Sequence, residues 1–440
     1  MSPAQQPADL LIRAGWIVPV EPRATVLTDH AIALRDGRIT ALCPAAEADA
    51  IDAAARLDLP RHVLLPGLIN AHGHAAMTLL RGYADDLSLM PWLEQYIWPV
   101  ELTHVSPEFV ADGARLAMTE MLLSGTTTFS DMYFFPDAVA RVAGEAGLRC
   151  QLTAPIFDFP SAYGTGPDDY ISKALALRDD WQSQPRINVA FGPHAPYTVA
   201  PEVMARVATY AAELDMAVQI HLHETRGEVL SHVEAHGERP VDTLQRVGLL
   251  GPRTQCVHMT DAAAQDIATL ASAAAHVVHC PRSNMKLGSG ICPVAALQQA
   301  GVNVALGTDG AASNNELSLF GEMHSAALLA KVAGEDPTAL PAAAVLEAAT
   351  LGGARALGLE EDIGSLVVGK QADLIAVDLS GPATQPVYNP LSQLVYTGVS
   401  AAVSHSWVAG VCLLHDRELQ TIDVNDTLAR ARSWAERIAQ

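Results

Sequence analysis

Val63-Leu64-Leu65-Pro66-Gly67-Leu68-Ile69-Asn70-Ala71-His72-Gly73-His74 is the stretch on which the fold turns. A short apolar run that ends on polar residues suits a strand buried on both faces. Residues two apart on a strand point the same way, so His72 and His74 present two imidazoles to one point where the strand ends. A lone histidine is commonly a satisfied core residue. An H-x-H that closes an apolar strand after Pro-Gly points to a metal instead.

Working outward, similar apolar runs recur at Thr126 to Met132, Cys150 to Phe157, Ile187 to His194, Ala217 to His223, Gln255 to Met259, His276 to Cys280 and Val302 to Thr308. With Val63 to His72 they make eight. Amphipathic helical stretches separate them, including Pro107 to Leu123, Pro201 to Leu214 and Asp261 to Ala273. The first of these starts at Ser106 with Pro107 in its first turn and stops at Gly125. Alternating strands and helices form either a doubly wound sheet or a barrel, and eight is the barrel number. The expected fold is α/β, a (β/α)8 TIM-like barrel over residues 63–360.

Both ends are β-rich. Asp9 to Arg13 and Gly15 to Val18 read as short strands, and Ala31 to Leu42 as a hairpin on Asp36-Gly37. Gly364 to Gly369, Ala372 to Val377 and Ser406 to Gly410 look like strands and turns, and Val424 to Ile438 like a closing helix. Neither end alone has enough core. Residues 1–62 and 361–440 are therefore expected to build one small composite β-sandwich domain, with the helix appended.

The 440 residues carry 27 Lys and Arg against 49 Asp and Glu, a net charge of −22. Such a surface repels phosphate backbones and anionic lipid, so neither nucleic acid nor membrane is an expected partner. Hydrophobic residues at 50% and charged ones at 17% exclude disorder. The start M-S-P-A-Q-Q-P-A-D-L-L-I-R lacks the basic-then-apolar pattern of a secretory signal. The longest uncharged run, between Asp378 and Asp416, is broken by Pro382, Pro386, Pro390, Gly398 and Gly410 and does not read as membrane-spanning. Six scattered cysteines with no C-x-x-C pair read as buried thiols. The expected compartment is the cytoplasm. Homo-oligomer formation is left open.

Two further strand ends carry candidate ligands: Gln219-Ile220-His221-Leu222-His223-Glu224 and Leu306-Gly307-Thr308-Asp309-Gly310. Three histidines and one aspartate suit a borderline cation such as Zn2+ with a position left for water. Such a metal brings the water's pKa towards neutrality. Asp309 would touch the metal and take the water's proton, and Glu224 would ferry that proton to a substrate nitrogen. Alone, Asp309 would read as a turn residue and Glu224 as a solvated loop acid. His223 reads as a loop or supporting residue.

P-G-L-I-N-A-H-G-H, H-L-H-E-T, H-C-P-R-S-N-M-K-L-G and G-T-D-G-A-A-S-N-N, with the flanking G-S-L-V-V-G-K-Q-A-D-L-I-A-V-D, resemble the amidohydrolase superfamily. Within it they are similar to the 5′-methylthioadenosine/S-adenosylhomocysteine deaminases, over nearly the whole chain. The resemblance implies one zinc ion per subunit held by His72, His74, His221 and Asp309, and Glu224 as the proton shuttle. It implies Glu101, in W-P-V-E, on the ribose hydroxyls, and His194, in F-G-P-H-A-P-Y, on substrate; Trp92 is a weaker transfer, as a base-packing or loop-anchoring residue. On that reading Glu224 and Asp309 are both catalytic and substrate-binding. Without the resemblance Glu101 would read as a helix-start acid.

Two departures from the family pattern matter. Many relatives have a histidine early in strand six, where this chain has Gln255; His258, three residues on, points to the opposite face of a regular strand. Either Gln255 orients the water or a bulge brings His258 inward. No arginine lies between Arg149 and Arg178, where relatives accepting S-adenosylhomocysteine are expected to hold its carboxylate. Ala154 to Pro160 offers an apolar, aromatic wall that suits a methylthio tail. Strand four has no Lys to bridge two metals, which implies one metal.

The function expected is zinc-dependent hydrolytic deamination of an adenine nucleoside at a cyclic amidine C–N bond. 5′-Methylthioadenosine is favoured over S-adenosylhomocysteine or adenosine. The alternatives are a guanine or triazine deaminase or chlorohydrolase on the same machinery, and a non-catalytic barrel scaffold.

Overall fold

The computed structural model describes residues 7–440. The reading of the N-terminal segment as lacking a secretory signal falls partly on residues 1–6, outside the described residues.

The strands, in chain order, begin with β1 (Ala8–Ile17), β2 (Leu27–Arg35), β3 (Arg38–Pro44), β4 (Ala53–Pro66) and β5 (Leu68–His74). Then come β6 (Thr126–Asp131), β7 (Arg149–Ile156), β8 (Ile187–Pro193), β9 (Ala217–Leu222), β10 (Thr254–His258), β11 (His276–His279), β12 (Asn303–Leu306) and β13 (Asp309–Gly310). The last four are β14 (Leu374–Asp378), β15 (Val403–Val408), β16 (Val411–His415) and β17 (Glu418–Leu419).

β5 to β12 lie side by side in chain order, all parallel. Parallel neighbours need long crossovers, and the helices between the strands supply them. β12 and β13 are one segment interrupted at Gly307-Thr308. Its first half pairs with β11 and its second half with β5, Asp309 opposite Gly73 and Gly310 opposite His74. The junction is tight: a Cβ on Gly307 would sit 2.9 Å from the His72 Cβ. Asn70 latches it, donating from Nδ2 to Thr308 Oγ1 (2.8 Å) and accepting the Thr308 amide on Oδ1 (2.9 Å). The ends of β5 and β13 thus lie together.

The run Val63 to His72, expected as one strand, is divided at Gly67. Val63, Leu64 and Leu65 pair with Val377, Ala376 and Ile375 of β14, in the other sheet. A Cβ on Gly67 would fall 2.0 Å from Thr127 Oγ1, so only glycine lets the chain pass from one sheet to the other here. An unbroken apolar run carries no mark of this change of sheet.

The second sheet has eight strands in the order β17-β16-β15-β14-β4-β1-β2-β3, drawn from both chain ends. Its Asp36-Gly37 hairpin has the expected pairing of Arg35 with Arg38. Gly364 to Gly369 is turn rather than strand. One face buries Ile12, Ile32, Leu64, Leu374 and Trp407 together, while Val63, Leu65, Ile375 and Val377 join the main core. Across this seam Arg149 Nε donates to Asp373 Oδ2 at 3.2 Å, both side chains at most 3% exposed.

The helix Pro107–Leu123 keeps its expected bounds, Ser106 Oγ accepting the Phe109 amide. The closing helix Val424–Ile438 lies against it, with the Trp434 ring edge-on to Phe109 and Nε1 donating to Asp112. All six cysteines are free. Among the described residues no helix is long and apolar enough to cross a membrane.

Candidate active site

The ends of β5, β9 and β13 bring the predicted ligands together. His72 Nε2 lies 3.2 Å from His221 Nε2 and 3.6 Å from Asp309 Oδ1, and His74 Nε2 lies 3.1 Å from the same oxygen. The other ring nitrogens settle the tautomers. His72 Nδ1 meets Gln219 Oε1 at 2.7 Å, His74 Nδ1 the Met132 carbonyl at 2.6 Å and His221 Nδ1 the His194 carbonyl at 2.8 Å. Each partner is an oxygen that only accepts, so each Nδ1 holds the proton and each Nε2 a lone pair. Two buried lone pairs 3.2 Å apart repel unless a cation lies between them. Three imidazole nitrogens and a carboxylate form a zinc-type donor set, with the outward ring N–H groups held as such sites require.

Burial, reinforced by neighbouring imidazoles, holds His221 well below the ordinary range, and burial also lowers His72. Both are thus neutral, as ligands must be. At His74 the contact with Asp309 outweighs burial and raises the pKa. Asp309 has a left-handed φ of 60°. Its carboxylate is fixed by the Gly310 amide on Oδ1 and by Ser283 Oγ on Oδ2, at 2.9 and 2.7 Å.

Beyond β9, the amides of His223 and Glu224 donate to the Glu228 carboxylate at 3.1 and 2.7 Å, and Thr225 caps the helix Arg226–His236. This breaks the strand and turns Glu224 into the cavity. Burial, with Asp309 and Glu228 nearby, pushes its carboxyl well above the usual range. His223 turns away: its Nδ1 meets the Asp261 carbonyl and its Nε2 accepts the Val241 amide.

His258 rather than Gln255 turns towards the cavity, and it does so without a bulge: β10 keeps its register with β9 through His258 opposite Leu222, and the backbone turns left-handed there. His258 and Met259 have φ of 80° and 51°, which swings His258 inward. Its ring lies 5.4 Å from that of His221, and its Nε2 is 3.7 Å from Glu224 Oε2. Asn284 Nδ2 donates to His258 Nδ1 at 3.0 Å, leaving the ring proton on Nε2. Gln255 lies beneath the site, accepting from Gln219 (2.6 Å) and Gln151 (2.9 Å) and donating to the Ala356 carbonyl (2.7 Å). It supports the amide that holds His72. Strand alternation could not place His258, because the left-handed strand end breaks that alternation.

A cavity of about 420 Å³ opens onto this cluster, and Glu101, His194 and Trp92 all line it. Glu101, on the helix Trp98–His104, accepts from Tyr133 Oη at 2.7 Å, and burial raises its carboxyl to about 7. Thr198 Oγ1 donates to the Ala195 carbonyl, so it accepts from His194 Nδ1 (2.9 Å) and leaves Nε2 a lone pair. The Trp92 indole N–H is buried without a partner. Phe134, Phe157, Phe159 and Pro160 form one wall, and among the described lining residues none is Arg or Lys. Tyr133 carries no motif that marks it from sequence, while Gln219, Ser283 and Asn284 lie within the quoted stretches without a role read for them.

Residues 63–413 match the Amidohydrolase family. The chain belongs to that family. This amidohydrolase is 52% identical to a 5-methylthioadenosine/S-adenosylhomocysteine deaminase of Saccharophagus degradans, over 98% of this chain and 97% of the relative. It superposes on the crystal structure of an adenosine deaminase from Xanthomonas campestris with bound zinc. The TM-score is 0.97 at 50% identity, covering 99% of each chain. A triazine hydrolase from Arthrobacter aurescens gives 0.90 at 25% identity, covering 97% of this chain and 99% of that one.

Proposed function

We propose that this amidohydrolase hydrolytically deaminates an adenine nucleoside, 5′-methylthioadenosine before S-adenosylhomocysteine or adenosine. The observation that carries the proposal is that one cavity is lined both by His74, His221 and Asp309, with His72 packed against them, and by the Glu101–Tyr133 pair. The first suits a hydrolytic metal and the second a ribose.

His72, His74, His221 and Asp309 would hold a single zinc ion, which supplies Lewis-acid activation of water at neutral pH. Glu224, buried and favouring its protonated form, delivers a proton to the ring nitrogen beside C6, which makes C6 more electrophilic. Asp309 takes the proton of the attacking water. His258, with its proton on Nε2, donates to the oxygen as it gains charge. Glu101 accepts from the ribose hydroxyls, and His194 Nε2 accepts from a further substrate donor. Together they fix the distance from C6 to the attacking water. Asp309 passes the proton it took to the amino group, which leaves as ammonia, while the new hydroxyl at C6 returns a proton to Glu224 and an inosine-type product remains.

The aromatic wall favours a methylthio tail. With no Arg or Lys among the described lining residues, the carboxylate of S-adenosylhomocysteine would be buried unpaired, which is costly. The same reading takes β5 to β13 as a closed (β/α)8 barrel over residues 63–360, residues 1–62 and 361–440 as a composite β-sandwich, and the cytoplasm as the compartment.

Ammonia release across methylthioadenosine, S-adenosylhomocysteine, adenosine and guanine tests the proposal, with methylthioadenosine expected to have the highest kcat/KM. Glu224→Gln should keep its zinc and lose turnover by about 10²–10⁴-fold. Near-normal turnover would remove the role given to Glu224, and a preference for guanine would remove the nucleoside reading.

A further inference from the structure

A second group of metal-type side chains lies away from the cavity, on β15 and the β16–β17 turn. β16 ends at His415 and passes through Asp416-Arg417 into β17, His415 pairing with Glu418. Both turn residues have positive φ, 46° and 67°, as a two-residue hairpin turn requires. The turn lays Asp416 over His405 of β15. His405 Nε2 is 3.5 Å from Asp416 Oδ1, and His415 Nδ1 is 3.8 Å from Asp416 Oδ2. One donor atom from each of the three lies within 4.8 Å of the other two.

The hydrogen bonding of His405 is an independent sign of a ligand. Ser404 Oγ donates to the Ala376 carbonyl at 3.3 Å. Its single proton is thus used, and it accepts from His405 Nδ1 at 2.9 Å. His405 Nε2 therefore carries a lone pair, and that atom is buried with no hydrogen-bond partner. It faces the Asp416 carboxylate, acceptor against acceptor. The ring is also held in orientation, stacked on Trp407 at 5.4 Å with 8° between planes. His62 of β4 lies alongside, 6.3 Å ring to ring, its own Nδ1 buried and unpartnered.

We propose that His405, His415 and Asp416 bind a divalent cation of the zinc class, separate from the cavity cluster. Two imidazole nitrogens and one carboxylate oxygen suit zinc rather than calcium or magnesium, which take oxygen ligands. The His415 and Asp416 side chains are 56% and 75% exposed, so the ion loads from solvent and keeps open positions for water. Bound there, it ties the β16–β17 turn to β15.

Zinc is added to the full-length enzyme, free metal is removed, and bound zinc is counted per chain. The wild type is expected to hold one zinc more than His415→Ala or Asp416→Asn, both of which keep full deaminase activity. His72→Ala is expected to lose the cavity zinc and retain this one, which separates the two sites. A zinc-dependent rise in melting temperature, present in His72→Ala and absent in His415→Ala, is the second readout. Equal zinc content in wild type, His415→Ala and Asp416→Asn would overturn the proposal, as would a melting temperature that zinc raises equally in all three.

Discussion

Gln219→Leu is the sharpest test of how the cavity cluster is held. Gln219 Oε1 takes the His72 Nδ1 proton, while its Nε2 donates to the Ala71 carbonyl (2.9 Å) and to Gln255 Oε1 (2.6 Å). Leucine keeps most of the volume and removes these bonds together with the one from Nε2 to Ser130 Oγ (3.3 Å). Gln255 Oε1 retains the Gln151 donor at 2.9 Å, but the His72 N–H and the Ala71 carbonyl lose these partners. Each buried group left unpaired costs about 1–3 kcal/mol, so the metal-free protein should lose about 2–6 kcal/mol. Removing the outer partner of a ligating histidine typically weakens metal binding by about 10–100-fold. Chelator competition gives the zinc affinity, and denaturant unfolding of the metal-free protein gives the stability. A Gln219→Leu protein that loses stability yet binds zinc as tightly as wild type would refute the reasoning, because Gln219 would then be packing alone.

Glu101→Ala removes a charged acceptor worth about 1.5–3 kcal/mol, so kcat/KM for methylthioadenosine should fall by about 10–100-fold while binding of free adenine is unchanged. Equal losses for nucleoside and base would rule out the ribose contact. Arg149→Met leaves Asp373 buried without its partner, and the urea midpoint should fall by the equivalent of about 3–5 kcal/mol; a loss under about 1 kcal/mol would show that the seam does not depend on this pair. Burial raises Glu322 from 4.5 to about 8, so the folded state holds its proton more tightly than the unfolded chain. The stability this contributes is full below the unfolded pKa and is lost as pH rises through about 8. Unfolding of Glu322→Gln across this range should lack that slope, and an unchanged slope would assign it to other groups.

How much was legible follows from the range of each interaction. Helix Pro107–Leu123 was readable because its signals are local: a serine cap, a proline in the first turn and a glycine stop. The H-x-H of β5 was readable because a strand's two-residue period is local as well. His258 was not. It reaches the cavity only through two consecutive left-handed residues, and nothing in Cys256-Val257-His258-Met259 announces them. Gly67 was equally silent, because its need for glycine comes from Thr127, on a strand distant in sequence.

The amino-acid sequence by itself determined the order of strands and helices, the ligand types at the strand ends and the absence of arginine from the segment after strand three. Each is set by periodicity, capping or composition. Tertiary structure alone decided that β13 meets β5 and so brings Asp309 to His74, and that Gln255 supports the site from below while His258 enters it. It alone set Asp416 over His405. These placements join residues far apart in the chain or depend on a backbone bend, and close packing rather than local propensity selects them.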